Sequence, residues 1–260
     1  MYMPRSATKV VPALILFLVA LVGAPHAEAA SFTVSPTQVF LSAHATSALL
    51  TLRNDSDEPL RFQLTLFRWD QSPDGEMTLT PSEDIVYFPK LVALDKREER
   101  KVRIGLIGAF GDAERTYRIF VEELPPAVEP GAPTAGVRMR TRMGIPIFLE
   151  PLKATEASDV TGLTVDNGQV VLRVQNRGTI HFITDTVRVS GTSAQGTLIF
   201  NKVVNGWYIL AGRSQIYKIP LSDAECQATA TVSAEVKIGE RTLQQKGVRP
   251  AAGCRPAGRQ

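Results

Sequence analysis

The sequence predicts an all-β protein built from β-sandwich domains, and three observations carry that prediction. Apolar residues alternate with polar ones over short runs: in "KVRIGLI" Val102, Ile104 and Leu106 share one parity, with Lys101 and Arg103 on the other. Such runs recur at intervals of about ten residues, the spacing of sandwich strands. Turn-forming clusters separate them, and no segment carries a long amphipathic helical pattern.

The chain opens on a different signal. Arg5 and Lys9 precede the apolar run Val10 to Gly23, and Ala27-Glu28-Ala29 offers an A-x-A cleavage site. A charged start, a short apolar stretch and small closing residues describe a secretory signal peptide over residues 1–29. The run is shorter than the roughly 20 residues a membrane span needs, so a retained anchor is the weaker reading. No second long apolar run follows, so the mature chain is expected to be exported, without an integral membrane segment. Roughly 230 residues remain, a length that suits two domains. Of 29 basic and 26 acidic residues, only Arg5, Lys9 and Glu28 fall in that leader. The remainder is near neutral, which argues against a general nucleic-acid binder.

Strands follow in order. "TSALLTLRN" stops at the turn cluster "NDSDEP" (Asn54 to Pro59), and "RFQLTLFRW" stops at "SPDG" (Ser72 to Gly75). "LDKREERKVRI" reads as a solvated turn entering a strand, although a helical start is open. "TYRIFVEEL" ends at Pro125-Pro126, and "AVEPGAPTAG" has the Pro, Gly and Ala content of a mobile loop. The segment "GVRMRTRMGIPIFLEP" (Gly136 to Pro151) then puts Val137, Met139, Thr141, Met143, Ile145 and Ile147 on one parity. Arg138, Arg140 and Arg142 stand on the other. After "LEPLKATEASD" the rhythm restarts with "VTGLTV", the hairpin signal "DNG" (Asp166 to Gly168) and "QVVLRVQN". The boundary falls near Leu152 to Ser158, giving domains at 30–151 and 152–260.

Chemistry has little support. Cys226 and Cys254 are the only cysteines, and in an oxidising compartment a disulfide is their default state. No CxxC occurs, and His44 and His181 are the only histidines after the leader, so no metal site is expected. Neither histidine stands beside a nucleophile signature such as GxSxG, and Glu122-Glu123 point to opposite faces of a strand. No GxxxxGK[ST] loop is present, and no cofactor is expected. The arginine row has three readings. It can be a solvated face that discourages edge pairing, a carboxylate site, or a nucleic-acid surface, the last lacking interleaved aromatics. The apolar parity facing it is either ordinary sandwich core or, if the strand is an edge, a template for another chain.

Four motifs in order resemble the periplasmic chaperones of pilus and fimbrial assembly, the PapD-like family of the chaperone–usher pathway. They are "SFTVSPTQVFLSAHATSALLTLRNDSDEP", "FPKLVALDKREERKVRIGL", "DAERTYRIFVEELPP" and the alternating strand. "LTVDNGQVVLRVQNRGTIHF" and the cysteine pair are similar to the family's second domain, and the texture is nearest the archaic branch. The resemblance implies two immunoglobulin-like β-sandwich domains in a boomerang arrangement, in the periplasm, with no enzymatic activity. It implies pilus or fimbrial subunits and an outer-membrane usher as partners, and leaves open a self-capping dimer. Family subunits lack one strand, which the chaperone lends by β-strand addition. The donor positions carried over are Val137, Met139 and Thr141, extended by Met143.

The chain also departs from the family. The usual subunit-carboxylate anchor uses two basic residues, at whose positions stand Thr37 and Pro146. Glu150 replaces a basic member of the interdomain ion network, while Glu114 matches an acidic one. Arg103, then Arg138, Arg140 and Arg142, are the candidate replacements for the anchor. The competing readings are an exported two-domain immunoglobulin-like binding protein for another secreted ligand, and an exported hydrolase using His44 or His181.

Overall fold

The computed structural model describes residues 31–125, 139–248 and Cys254. The signal segment therefore lies outside the described residues. Among the described residues ten strands build the first domain: β1 (Phe32–Ser35), β2 (Val39–Leu41), β3 (Ser47–Asn54), β4 (Leu60–Gln71), β5 (Met77–Pro81), β6 (Ile85–Phe88), β7 (Leu91–Leu94), β8 (Glu99–Leu106), β9 (Arg115–Glu123) and β10 (Arg142–Leu149). They form one sheet in the order β1-β3-β8-β6 and a second in the order β2-β10-β9-β4-β5, with β7 also pairing β4. All pairs are antiparallel except β2 with β10. Alternation explains the layers. Val102 and Ile104 of β8 and Ile119 and Val121 of β9 are fully buried between the sheets, and their odd or even neighbours face outward.

β9 breaks the alternation: Thr116 to Val121 are all buried. Its inner parity (Tyr117, Ile119, Val121) fills the core. Its outer parity is covered as well. Phe67 meets the Phe120 ring at 5.9 Å, and Arg142 and Arg118 lie across the Phe120 and Trp69 rings. β4 likewise switches near Phe67, burying Leu60 to Leu66 inward and then Trp69 and Gln71 on the outer face.

The second domain contains β11 (Ser158–Asp166), β12 (Gln169–Asn176), β13 (Phe182–Ile183), β14 (Thr186–Thr192), β15 (Leu198–Asn205), β16 (Tyr208–Ile209), β17 (Ser214–Pro220), α1 (Asp223–Ala228), β18 (Thr231–Ile238) and β19 (Arg241–Val248). Its sheets run β11-β12-β17, β13-β16 and β15-β14-β18-β19, around a separate core centred on Val170, Leu172, Val187, Val189, Val232 and Val236. The Asp-Asn-Gly hairpin forms as expected: Asn167 and Gly168 have φ of 49° and 70°, the left-handed pair a two-residue turn requires. A short helix, α1, was not expected. Its start is written locally, because Ser222 and Glu225 form a reciprocal capping box.

Each domain pins a strand end with a buried asparagine. Asn54 donates to the carbonyls of Glu58 and Asp95 and accepts from the Ser56 N–H, which is why the "NDSDEP" cluster turns there. Asn176 repeats the device, donating to Ile180 and Ile209 and accepting from the Gly178 N–H. Cys226, buried on α1, is bonded to Cys254, 28 residues away. Replacing both cysteines with serine should lower unfolding free energy by about 3–4 kcal/mol, the loop-closure contribution, read from urea transitions.

Candidate functional site

The second sheet has an open edge where β10 leaves the sandwich. β10 pairs with β9 along its whole length, from Arg142 opposite Glu122 to Leu149 opposite Arg115. On its other side β2 reaches only Ile147 to Leu149. Among the described residues no strand pairs with Arg142 to Pro146 there. A row of backbone groups along that stretch is a template for an added strand.

Side chains along β10 change role as the strand leaves the core. Ile145 and Ile147 are buried in it, and Met143 packs half-buried against it. Thr141 and Met139, on the same parity, lie beyond it and are exposed, Met139 by 83%. The Glu123 N–H still donates to the Thr141 carbonyl at 3.0 Å, holding this exit in line with β9. Met139, Arg140 and Thr141 precede β10, whose first residue is Arg142, and Met143, the expected extension of the donor positions, packs half-buried against this protein's own core. Val137 and Arg138 lie outside the described residues.

The arginines grouped from the sequence do not form one cluster. Arg103 is exposed between buried Val102 and Ile104, so it faces outward from the first sheet, beside Leu49 and Phe88 in the register. Arg142 faces outward from the second sheet, on the opposite side of the sandwich. Its guanidinium lies 3.9 Å from the Phe120 ring centroid, and its Nε is 3.7 Å from a Glu122 oxygen. Arg140 is exposed.

A fifth arginine, Arg118, lies beside Pro146, one of the two positions where the family's basic residues stand. Arg118 on β9 stands directly opposite Pro146 on β10, and residues opposite each other in a ladder share a face. Arg118 is 9% exposed, and its guanidinium carbon sits 4.2 Å from the Trp69 ring centroid. Its Nη1 donates to the Met77 sulfur at 3.3 Å. Both the Arg118 Nε and the Trp69 Nε1 are buried donors without an acceptor. Burial pulls the Arg118 guanidinium below its usual pKa, opposed by the nearby Tyr208. Two unmet buried donors beside a cation can receive an anionic acceptor. The signal in the sequence was a charged residue inside "TYRIFV", a run otherwise suited to burial.

The second domain packs against this face of the sheet. Trp69, Phe148 and Leu210 form an apolar cluster joined by Leu79 and Tyr208, with the Trp69 and Tyr208 rings 5.3 Å apart. The β4–β5 hairpin clasps this domain. Gln71 donates to the Tyr208 carbonyl and accepts from the Leu210 N–H, and the Pro73 carbonyl accepts from Arg173 and Ser214. The Ile216 N–H reaches the Asp74 carbonyl, and Arg213 forks onto Asp70 with two 2.7 Å contacts. Gly75, at φ +90°, lies against Gln215, and an added Cβ would sit 2.1 Å from its Oε1.

Glu114 is an interdomain residue, as its family match implied, but its partner is His181. The Glu114 side chain is 2% exposed and meets the His181 Nδ1 at 2.8 and 2.9 Å. The His181 N–H also donates to it, and the Glu114 N–H donates to the Thr179 carbonyl. The imidazole stacks on Phe148 at 3.7 Å. Glu150 and Thr37 are exposed. His44 is exposed too, so the two histidines serve no common site. Among the described residues no group of His, Cys, Asp and Glu could hold a metal ion. Among them, too, no helix is long and apolar enough to cross a membrane.

Residues 31–155 match the family described as pili and flagellar-assembly chaperone, PapD N-terminal domain. No curated protein matches the sequence. Among solved structures, a chain of the CsuC–CsuE chaperone–tip adhesion subunit complex from the archaic Csu pili of Acinetobacter baumannii aligns with TM-score 0.55 and 17% identity, over 85% of this chain and 100% of that one. A chain of the Salmonella enterica SafA pilin–SafB chaperone complex gives 0.53 and 18%, over 84% and 97%. The E. coli chaperone DraB gives 0.52 and 20%, over 86% and 98%. At such identities the structures speak for the fold, two immunoglobulin-like domains, while the matched first domain speaks for the lineage. Residues 31–155 thus form a PapD N-terminal domain of the pili and flagellar-assembly chaperones, a family whose members are not enzymes.

Proposed function

We propose that this protein works in the periplasm, where it folds and caps a pilus subunit by donor-strand complementation and hands it to an outer-membrane usher. The observation that carries this reading is the open edge of β10 running into exposed Thr141 and Met139. Main-chain hydrogen bonds along that edge supply affinity without regard to sequence, and alternate side chains fill the subunit's groove. Val137, Met139 and Thr141 are the donor positions. Methionine suits grooves of differing shape, because its unbranched thioether adapts to irregular gaps.

Arg118 is the carboxylate anchor in this reading, replacing the two basic residues absent at Thr37 and Pro146. It lies on the strand beside Pro146, so a subunit strand added at β10 can end near it. Arg103 faces outward from the other sheet and is not assigned to the anchor.

Periplasmic co-expression with affinity purification tests the proposal. The expected result is a small, strand-deficient, pilin-like protein recovered in one-to-one complex. Recovery of a complete, independently folded protein instead would point to a general exported binding protein.

A further inference from the structure

We propose that Met77 is an oxidation site through which peroxide-class oxidants close the Arg118 anchor; this rests on the reading of Arg118 given above. Met77 is 45% exposed at the start of β5, while its sulfur touches a guanidinium that is almost wholly buried. An oxidant can therefore approach from solvent a sulfur that is already in contact with the anchor.

The chemistry is a two-electron transfer. The Met77 sulfur attacks one oxygen of hydrogen peroxide, the S–O bond forms as the O–O bond breaks, and the proton on the attached oxygen passes to the leaving hydroxide, which departs as water. Sulfur is oxidised to the sulfoxide and the peroxide is reduced. A thioether is a weak acceptor for the Arg118 Nη1, and the Arg118 Nε and Trp69 Nε1 of the same group have no acceptor at all. A sulfoxide oxygen is a strong, compact acceptor held on the same flexible side chain. From Met77 it engages the Arg118 guanidinium that a subunit carboxylate would otherwise occupy. Oxidation thus supplies an internal competitor for the anion site.

Apart from Met1 and Met3 of the leader, the chain's methionines are Met77, Met139 and Met143. A chain of residues 31–260 carrying Met139→Leu and Met143→Leu leaves Met77 alone. Labelled with nitrogen-15, it is titrated with acetate as the probe carboxylate and followed at the Arg118 Nε–H resonance, which Arg118→Lys identifies by its loss. Peroxide treatment is carried to one added oxygen per chain by mass. The expected result is that oxidation moves this resonance without ligand and weakens acetate binding at least about tenfold, the scale of one charge-assisted hydrogen bond. Adding Met77→Leu should make the acetate response identical before and after peroxide, whatever its starting value. An oxidised Met77 protein that binds acetate unchanged overturns the proposal, as does a Met77→Leu protein that peroxide still disables. An absence of any acetate response before oxidation strikes instead at Arg118 as the anchor.

Discussion

Arg118→Met weakens capture of a pilus subunit about ten- to hundredfold while leaving the chaperone at least as stable as before. The first half follows from the value of a charge-assisted hydrogen bond, about 1.5–3 kcal/mol, with each 1.4 kcal/mol a factor of about ten in affinity. The second half follows from what Arg118 does in the empty chaperone. Its guanidinium is buried without a carboxylate, and its Nε is unmet. Exchanging such a group for an apolar side chain of similar length removes a desolvation cost of several kcal/mol. The loss of the contact with the Trp69 ring offsets that by about 1–2 kcal/mol. Urea unfolding and subunit titration on one preparation separate the two. A variant that captures normally refutes the anchor, and one that unfolds early shows Arg118 to be structural. Arg103→Ala, on the far side of the sandwich, should change capture less than about twofold, as surface substitutions away from a binding site do.

Met139→Asp should abolish capture with no change in the chaperone's own unfolding. Met139 is 83% exposed and outside β10, so the free protein loses nothing when it becomes charged. In the complex the carboxylate would enter a groove shaped for an apolar residue. It forfeits about 1.5–3 kcal/mol of burial and adds the larger cost of desolvating an unpaired charge. Together these exceed a hundredfold in affinity. Capture that survives the change, measured by co-purification and by titration, would show that this segment is not the lent strand. Met143→Asp is the informative contrast. It should destabilise the chaperone itself, because Met143 already packs against its core.

The features legible from sequence were those encoded locally. The "DNG" turn needs only two residues able to take positive φ, and "KVRIGLI" declares its buried parity within seven residues. β9 was opaque for a physical reason: buried on both faces, "TYRIFV" does not alternate, so nothing in its pattern sets Arg118 apart from the rest of the strand. Its importance depends on register, since nothing in the sequence says that Arg118 stands across from Pro146. Glu114 and His181 are 67 residues apart and meet only because two domains dock. The capping box of Ser222 and Glu225 was local and readable, but one turn of helix makes no periodic pattern.

The clasp between the β4–β5 hairpin and the second domain bears on how the two halves respond to salt. Apart from the Arg213–Asp70 fork and the buried Glu114–His181 contact, the bonds described there run to main-chain carbonyls and amides of Pro73, Asp74, Tyr208 and Leu210. Counterions screen exposed charge pairs but have little hold on neutral amide bonds over a buried aromatic cluster. The junction between the domains is thus insulated from changes in ionic strength, and among the described residues the exposed Glu150 can be carried without an ion pair.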